Sequence, residues 1–193
     1  MQARLAAKDI ACRRGDRLLF RGLSIDCARG DTVHVSGANG IGKSSLLRIL
    51  AGLLRPFAGE VLQKGEVGLV DERLALDANL PLGRALSFWE RLDGCGEPGR
   101  ALALLKLEPL MDVPVRYLST GQRKRAALAR LLNRNCPIWL LDEPLNGLDS
   151  EAQAVFETLV ARHCEGGGIA VVASHQPIAL GSPLVVDLAR FTA

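Results

Sequence analysis

Eight residues, Gly37-Ala38-Asn39-Gly40-Ile41-Gly42-Lys43-Ser44, constrain the fold of this chain more than any others. They match G-x-x-x-x-G-K-[ST], a spacing that suits phosphate. The glycines leave room for successive backbone N–H groups to point at phosphate oxygens. The helix that follows presents its positive N-terminal end to the same anion. Such a loop needs a strand before it and a helix after it, and the pattern supplies both. Thr32–Ser36 reads as a short strand. Residues 44–54 read as a helix, with Leu46, Leu47, Ile49, Leu50, Leu53 and Leu54 at helical spacing. Pro56 is its expected stop. Lys43 would bring a point charge to the β- and γ-phosphates of a nucleotide, and the Ser44 hydroxyl would ligate Mg²⁺.

The rest of the chain alternates strands with helices. Residues 17–35 read as strands joined by a turn at Ala28-Arg29-Gly30-Asp31. Val67–Val70 is a further short strand, and 138–141, 169–174 and 184–188 read as buried strands. The segment 151–163 is the expected helix between the first two of these. Strands alternating with helices imply a largely parallel sheet with crossover helices. Between about 71 and 117 the pattern changes. Leu82, Leu86, Trp89 and Leu92 share one helical face, Leu102, Leu105 and Lys106 continue a second helix, and Gly94, Gly96, Pro98 and Gly99 separate the two. With a helix over 122–134, this stretch reads as a small helical subdomain inserted into an α/β core.

Two further places carry chemistry. Ile138-Trp139-Leu140-Leu141-Asp142-Glu143 is an apolar strand ending in paired carboxylates. Asp142 is positioned to hold a metal and Glu143 to orient or deprotonate an attacking water. His175 follows the strand over 169–174. An imidazole at the C-terminal end of a parallel strand faces the ligand crevice, where it could hydrogen-bond the γ-phosphate.

Composition excludes several classes. With 24 basic and 21 acidic residues the net charge is +3, too balanced to argue for nucleic acid. The basic run Arg123-Lys124-Arg125 with Arg130 and Arg134 reads as the solvated face of a helix. The five cysteines show no C-x-x-C and read as reduced thiols, hence a cytosolic chain. There is neither a signal-type N-terminus nor an apolar run of about 18 residues. Any membrane role is therefore expected to work through a partner.

The ordered motifs resemble those of the ATP-binding cassette (ABC) ATPases over nearly the full length. GANGIGKS resembles their Walker A loop, Leu118-Ser119-Thr120-Gly121-Gln122 their signature, and IWLLDE their Walker B. Leu148-Asp149 resembles their D-loop and Ser174-His175 their switch histidine. The resemblance implies an α/β P-loop NTPase: a nucleotide-binding domain with a RecA-like core, an antiparallel β subdomain and an inserted helical subdomain. One such domain would span 1–193, with the core at about 1–70 and 135–193 and the helical subdomain at about 71–134. It implies ATP and Mg²⁺ as ligands. Gly37, Ala38, Asn39, Gly40, Ile41, Gly42, Lys43, Ser44 and Ser45 would contact ATP, Ser44 and Asp142 the metal. Glu143, His175 and Lys43 would be catalytic.

In that family two domains meet head to tail. Leu118, Ser119, Thr120, Gly121 and Gln122 would therefore serve the nucleotide of a twin, and Asp149 would communicate across the homodimer. Two departures stand out. The family's glutamine after the strand entering the helical subdomain is missing from Val70-Asp71-Glu72-Arg73, where Glu72 is the nearest candidate. The family's adenine-stacking aromatic is replaced by Cys12-Arg13-Arg14-Gly15, where Arg13 or Arg14 could stack instead.

Within the family, stretches such as Phe88-Trp89-Glu90-Arg91-Leu92-Asp93-Gly94 and Pro137 to Pro144 resemble the ATPases of cytochrome c maturation haem exporters. That implies a peripheral subunit at the cytoplasmic face of the bacterial inner membrane, working with a separate integral membrane subunit. No nucleic acid and no direct haem binding are expected. Cys136-Pro137 reads as a structural approach to the following strand and not as a haem-regulatory pair. Transport of another substrate, or remodelling of partner proteins without transport, stays open at this point.

Overall fold

The computed structural model describes residues 3–93 and 98–192. They divide into two compact units. One comprises Met1–Asp71, Pro137–Pro144 and Glu157–Ala193, the other Glu72–Cys136 and Leu145–Phe156. The segment 145–156, which the sequence pattern places with the core, groups with the helical unit.

The first unit holds two sheets. Five parallel strands, β3 (Thr32–Ser36), β5 (Val67–Val70), β6 (Ile138–Asp142), β7 (Ile169–Ala173) and β8 (Leu184–Asp187), lie in the order β5-β6-β7-β3-β8. Every residue of β6 and β7 is buried, as expected for continuous Val/Ile/Leu runs covered on both faces. At the β8 edge Leu184 and Val185 are exposed, so this strand is only half buried, contrary to its apolar sequence. Helix α1 (Lys43–Leu50) packs Leu46, Leu47, Ile49 and Leu50 into the same core as Val33, Val35, Leu140 and Val171. It stops four residues before the expected end. Gly52 at φ +73 breaks it, and Leu53, 70% exposed, lies outside.

The second sheet is antiparallel, in the order β2-β1-β4, from β1 (Arg4–Arg14), β2 (Arg17–Cys27) and β4 (Ala58–Lys64). β1 and β2 meet at a two-residue turn in which Gly15 takes φ +57. β1 and β4 leave no clear trace in the sequence. Bulges interrupt the alternation of β1, and no residue of β4 is fully buried. The turn at 28–31 is real, with Asp31 N–H donating to Ala28 O at 3.2 Å, but it carries the chain between sheets and closes no hairpin.

In the helical unit, α2 (Leu82–Asp93) buries Leu82, Ala85 and Leu86. Trp89 continues the seam beneath the Arg130 guanidinium, 3.5 Å from its ring centre. The next seam position is Asp93, which pairs with Arg134 at 3.9 Å. Leu92 is consequently 65% exposed, not on the buried face. α3 (Pro98–Leu104) begins at the expected separators Pro98 and Gly99, whereas Gly94 and Gly96 lie outside the described residues, as does Cys95. Lys106 leaves the helix at φ +51. α4 (Thr120–Arg134) starts two residues earlier than its pattern suggests, and α5 spans Ser150–Glu165. Among the described residues no helix is long and apolar enough to cross a membrane.

Candidate nucleotide site

Strand β3 delivers the glycine-rich loop to the C-terminal edge of the parallel sheet. Gly37, Gly40 and Gly42 take φ values of +146, +77 and +121, a region costly for side-chain-bearing residues. A Cβ on Gly42 would also crowd Phe20 Cδ1 at 3.2 Å. The glycines thus fix the loop's shape and leave a backbone cradle open to an anion. Ser44 is exposed at the start of α1, with its neighbour Ser45 half-buried.

Lys43 is 5% exposed. Its ammonium donates to Gly37 O at 2.7 Å and Ala38 O at 3.3 Å, and pairs with Glu143 Oε1 at 3.1 Å. The other carboxylate oxygen, Glu143 Oε2, accepts from His175 Nδ1 at 2.8 Å. Glu143 follows β6 directly at φ +45, held by its N–H on Ala173 O at 2.8 Å. A non-glycine residue held there is the kind of strain that gathers at functional sites. The fold therefore brings Lys43, Glu143 and His175 into one cluster. Asp142 is buried at the end of β6, beside Ala173 in register. The Lys43–Glu143 pair has no signal in the sequence, because it joins a loop to a strand end about a hundred residues away.

At the β1 end Arg13 and Arg14, the two candidates for the adenine, have different surroundings. The Cys12 thiol meets Ser45 in the first turn of α1, and burial pushes that thiol up. Arg14 lies close enough to Cys12 for its charge to oppose that upward shift. Arg13 lies over the Phe57 ring, 4.6 Å from its centre.

In the helical unit, Ser119 caps α4 by a reciprocal capping box. Ser119 Oγ accepts from Gln122 N–H at 3.2 Å, and Ser119 N–H donates to Gln122 Oε1 at 2.8 Å. Gln122 is thus spent on shaping the helix end. Leu118 is buried, while Ser119 and Thr120 are exposed. Gly121 packs so closely on Gly147 O that a Cβ there would collide with it. Asp149 caps α5, its Oδ1 accepting from Ala152 N–H at 2.8 Å. The basic run is not a solvated face. Arg123 donates to Leu118 O and Arg116 O, Arg125 to Leu105 O, and Lys124 is buried.

A family model described as ABC transporter matches residues 20–146. The chain belongs to the ABC transporter family. It is 62% identical over 176 residues to the cytochrome c biogenesis ATP-binding export protein CcmA of Novosphingobium aromaticivorans, covering 91% of each chain. Identity to the protein of that name from Zymomonas mobilis is 50%, over 99% of this chain and 87% of that one. Relatives this similar place the chain among the cytochrome c biogenesis ATP-binding export proteins. Solved structures agree on the fold. An ABC transporter ATP-binding protein from Pyrococcus furiosus, 20% identical, superimposes with a TM-score of 0.82 over 98% of this chain and all of its own. A metal-chelate type ABC transporter in an inward-facing conformation, 26% identical, gives 0.76 over 92% of this chain and 75% of that one.

As an ABC ATPase the chain has nucleotide-binding architecture with one local rearrangement. Where the family glutamine is missing, Asp71 forms an ion pair. It follows β5 directly and accepts from Arg48 Nη2 at 3.1 Å, while Glu72 is exposed. Arg48 sits on the phosphate-loop helix, so the exit of β5 is tied to that helix by an ion pair.

Proposed function

We propose that this chain is the ATP-hydrolysing subunit of a bacterial inner-membrane ABC complex that powers haem export, or release of a haem chaperone, in c-type cytochrome biogenesis. The observation that carries the reading is its 62% identity to an export protein of that pathway across 91% of both chains.

The loop 37–44 cradles the phosphates, and the N-terminal end of α1 favours their charge. Lys43 adds a point charge to the β- and γ-phosphates. Ser44 and Asp142 offer the hard oxygen donors that suit Mg²⁺. Among the described residues no group of three or more His, Cys, Asp or Glu gathers around a metal position. The ion would thus draw most of its ligands from phosphate and water, as Mg²⁺ commonly does. When bound, it neutralises phosphate charge. Glu143 orients or deprotonates the attacking water, and His175, hydrogen-bonded to it, holds that carboxylate and faces the γ-phosphate. Arg14 is the better placed of the two arginines to meet the adenine.

The active unit is a homodimer, in which Ser119 and Gly121 of one protomer close over the γ-phosphate held by its partner. The start of α4 supports this, since Ser119 and Thr120 are exposed there at the positive N-terminal end of a helix. A separate integral membrane subunit provides the transport path, and the chain sits peripherally on its cytoplasmic side. Affinity purification of the chain from native membrane tests the reading. A multi-helix membrane protein and a haem chaperone should co-purify, and added ATP should release the chaperone. Retention of the chaperone through repeated ATP turnover would sink it.

A further inference from the structure

We infer that Glu143 has a second role: it competes with the nucleotide's phosphates for Lys43, so that nucleotide binding itself releases the carboxylate that hydrolysis needs. The inference rests on the ATPase reading above and on three features of the cluster. First, the Lys43 ammonium donates to two loop carbonyls, Gly37 O and Ala38 O, and has Glu143 Oε1 as an ion-pair partner 3.1 Å away. A phosphate oxygen that approaches the ammonium competes with these three for it. Two are backbone carbonyls of the loop. The third is a side-chain carboxylate carrying the same sign of charge as phosphate, so repulsion selects it to leave.

Second, the backbone at Glu143 is fixed by the 2.8 Å bond of its N–H to Ala173 O. The displacement is therefore a side-chain swing. Third, Glu143 is held from its other oxygen by His175 at 2.8 Å. A carboxylate that loses Lys43 keeps the imidazole and is retained at the strand end, where it can take a proton from the water that attacks the γ-phosphate. The pairing with Lys43 thus spares the site an unpaired buried ammonium and withholds the general base until phosphate takes its place.

The competition is read from ADP affinity without Mg²⁺, measured by titration calorimetry on the dilute full chain. ADP keeps the β-phosphate contact and avoids hydrolysis. Apparent affinity falls with the fraction of molecules that are binding-competent. If Glu143 occupies Lys43 about nine-tenths of the time, Glu143→Gln binds ADP about tenfold more tightly than the native chain. Asp71→Asn removes a nearby carboxylate that pairs with Arg48 and gives a much smaller change. Equal or weaker ADP binding by Glu143→Gln overturns the inference, as does an equal gain in Asp71→Asn, which would mark a general charge effect. Absence of ADP binding in all three folded proteins removes the phosphate-loop reading itself, and the inference with it.

Discussion

Residue chemistry here turns on Glu143, which serves three neighbours at once: Lys43, His175 and the backbone of β7. Replacing it with Gln keeps its size and removes its charge. Steady-state ATP turnover of Glu143→Gln should fall by about 10²–10⁴, the usual worth of a positioned general base. Undiminished turnover would reassign the base. Much of this site is legible in the sequence, because the phosphate loop is local: its glycines, lysine and serine act within eight consecutive positions. The partners of these residues are not legible. Nothing in the spacing says that Lys43 meets Glu143, that Cys12 touches Ser45, or that Arg13 lies over Phe57.

Among the elements, the start of α4 is where sequence pattern and structure part most usefully. Apolar periodicity alone starts the helix at 122, yet the capping box moves it to Thr120 and makes Ser119 its N-cap. The capping pair is visible as Ser-x-x-Gln, with the residue types that satisfy orphan N–H groups. Gly121 has a different reason to be glycine, the backbone of Gly147 pressed against it. Gly121→Ala should therefore cost about 1–3 kcal/mol in urea unfolding, as overpacking does, whereas exposed Thr120→Ala should stay within about 0.5 kcal/mol. A Gly121→Ala chain as stable as the native one would show that the segment around Gly147 yields freely. α2 teaches the same lesson from the other side. Its seam runs through Leu82, Leu86 and Trp89 to Asp93, because Arg134 supplies a charge there, and Leu92 is left outside.

Across the whole molecule, the stability of the core unit should depend on pH through one stacked pair. The His163 ring lies 3.8 Å from the Trp139 ring at 8° between planes. Burial holds the imidazole below its ordinary value of 6.5. The unfolded chain then binds more protons than the folded one as pH falls below 6.5. The stability associated with neutral His163 is full above that pH and is lost as pH drops toward the lowered folded value. Urea midpoints measured from neutral to mildly acid pH should decline for the native chain and decline less for His163→Phe. Parallel declines would remove His163 from the account. At the alkaline end, burial and neighbouring Asp31 push the Cys27 thiol up to about 12, so it should resist thiol reagents until the chain unfolds.

The sequence by itself determined the phosphate loop, the order of the motifs, the parallel α/β class and the family, because each rests on residues close together or on runs with a clear period. Tertiary structure alone decided that β1 and β4 join β2 in the antiparallel sheet, the transfer of 145–156 to the helical unit, the Asp71–Arg48 tie and the contacts within the Lys43–Glu143–His175 cluster. Those features depend on contacts between distant segments, whose residues carry charge, bulges or exposure that local periodicity does not register.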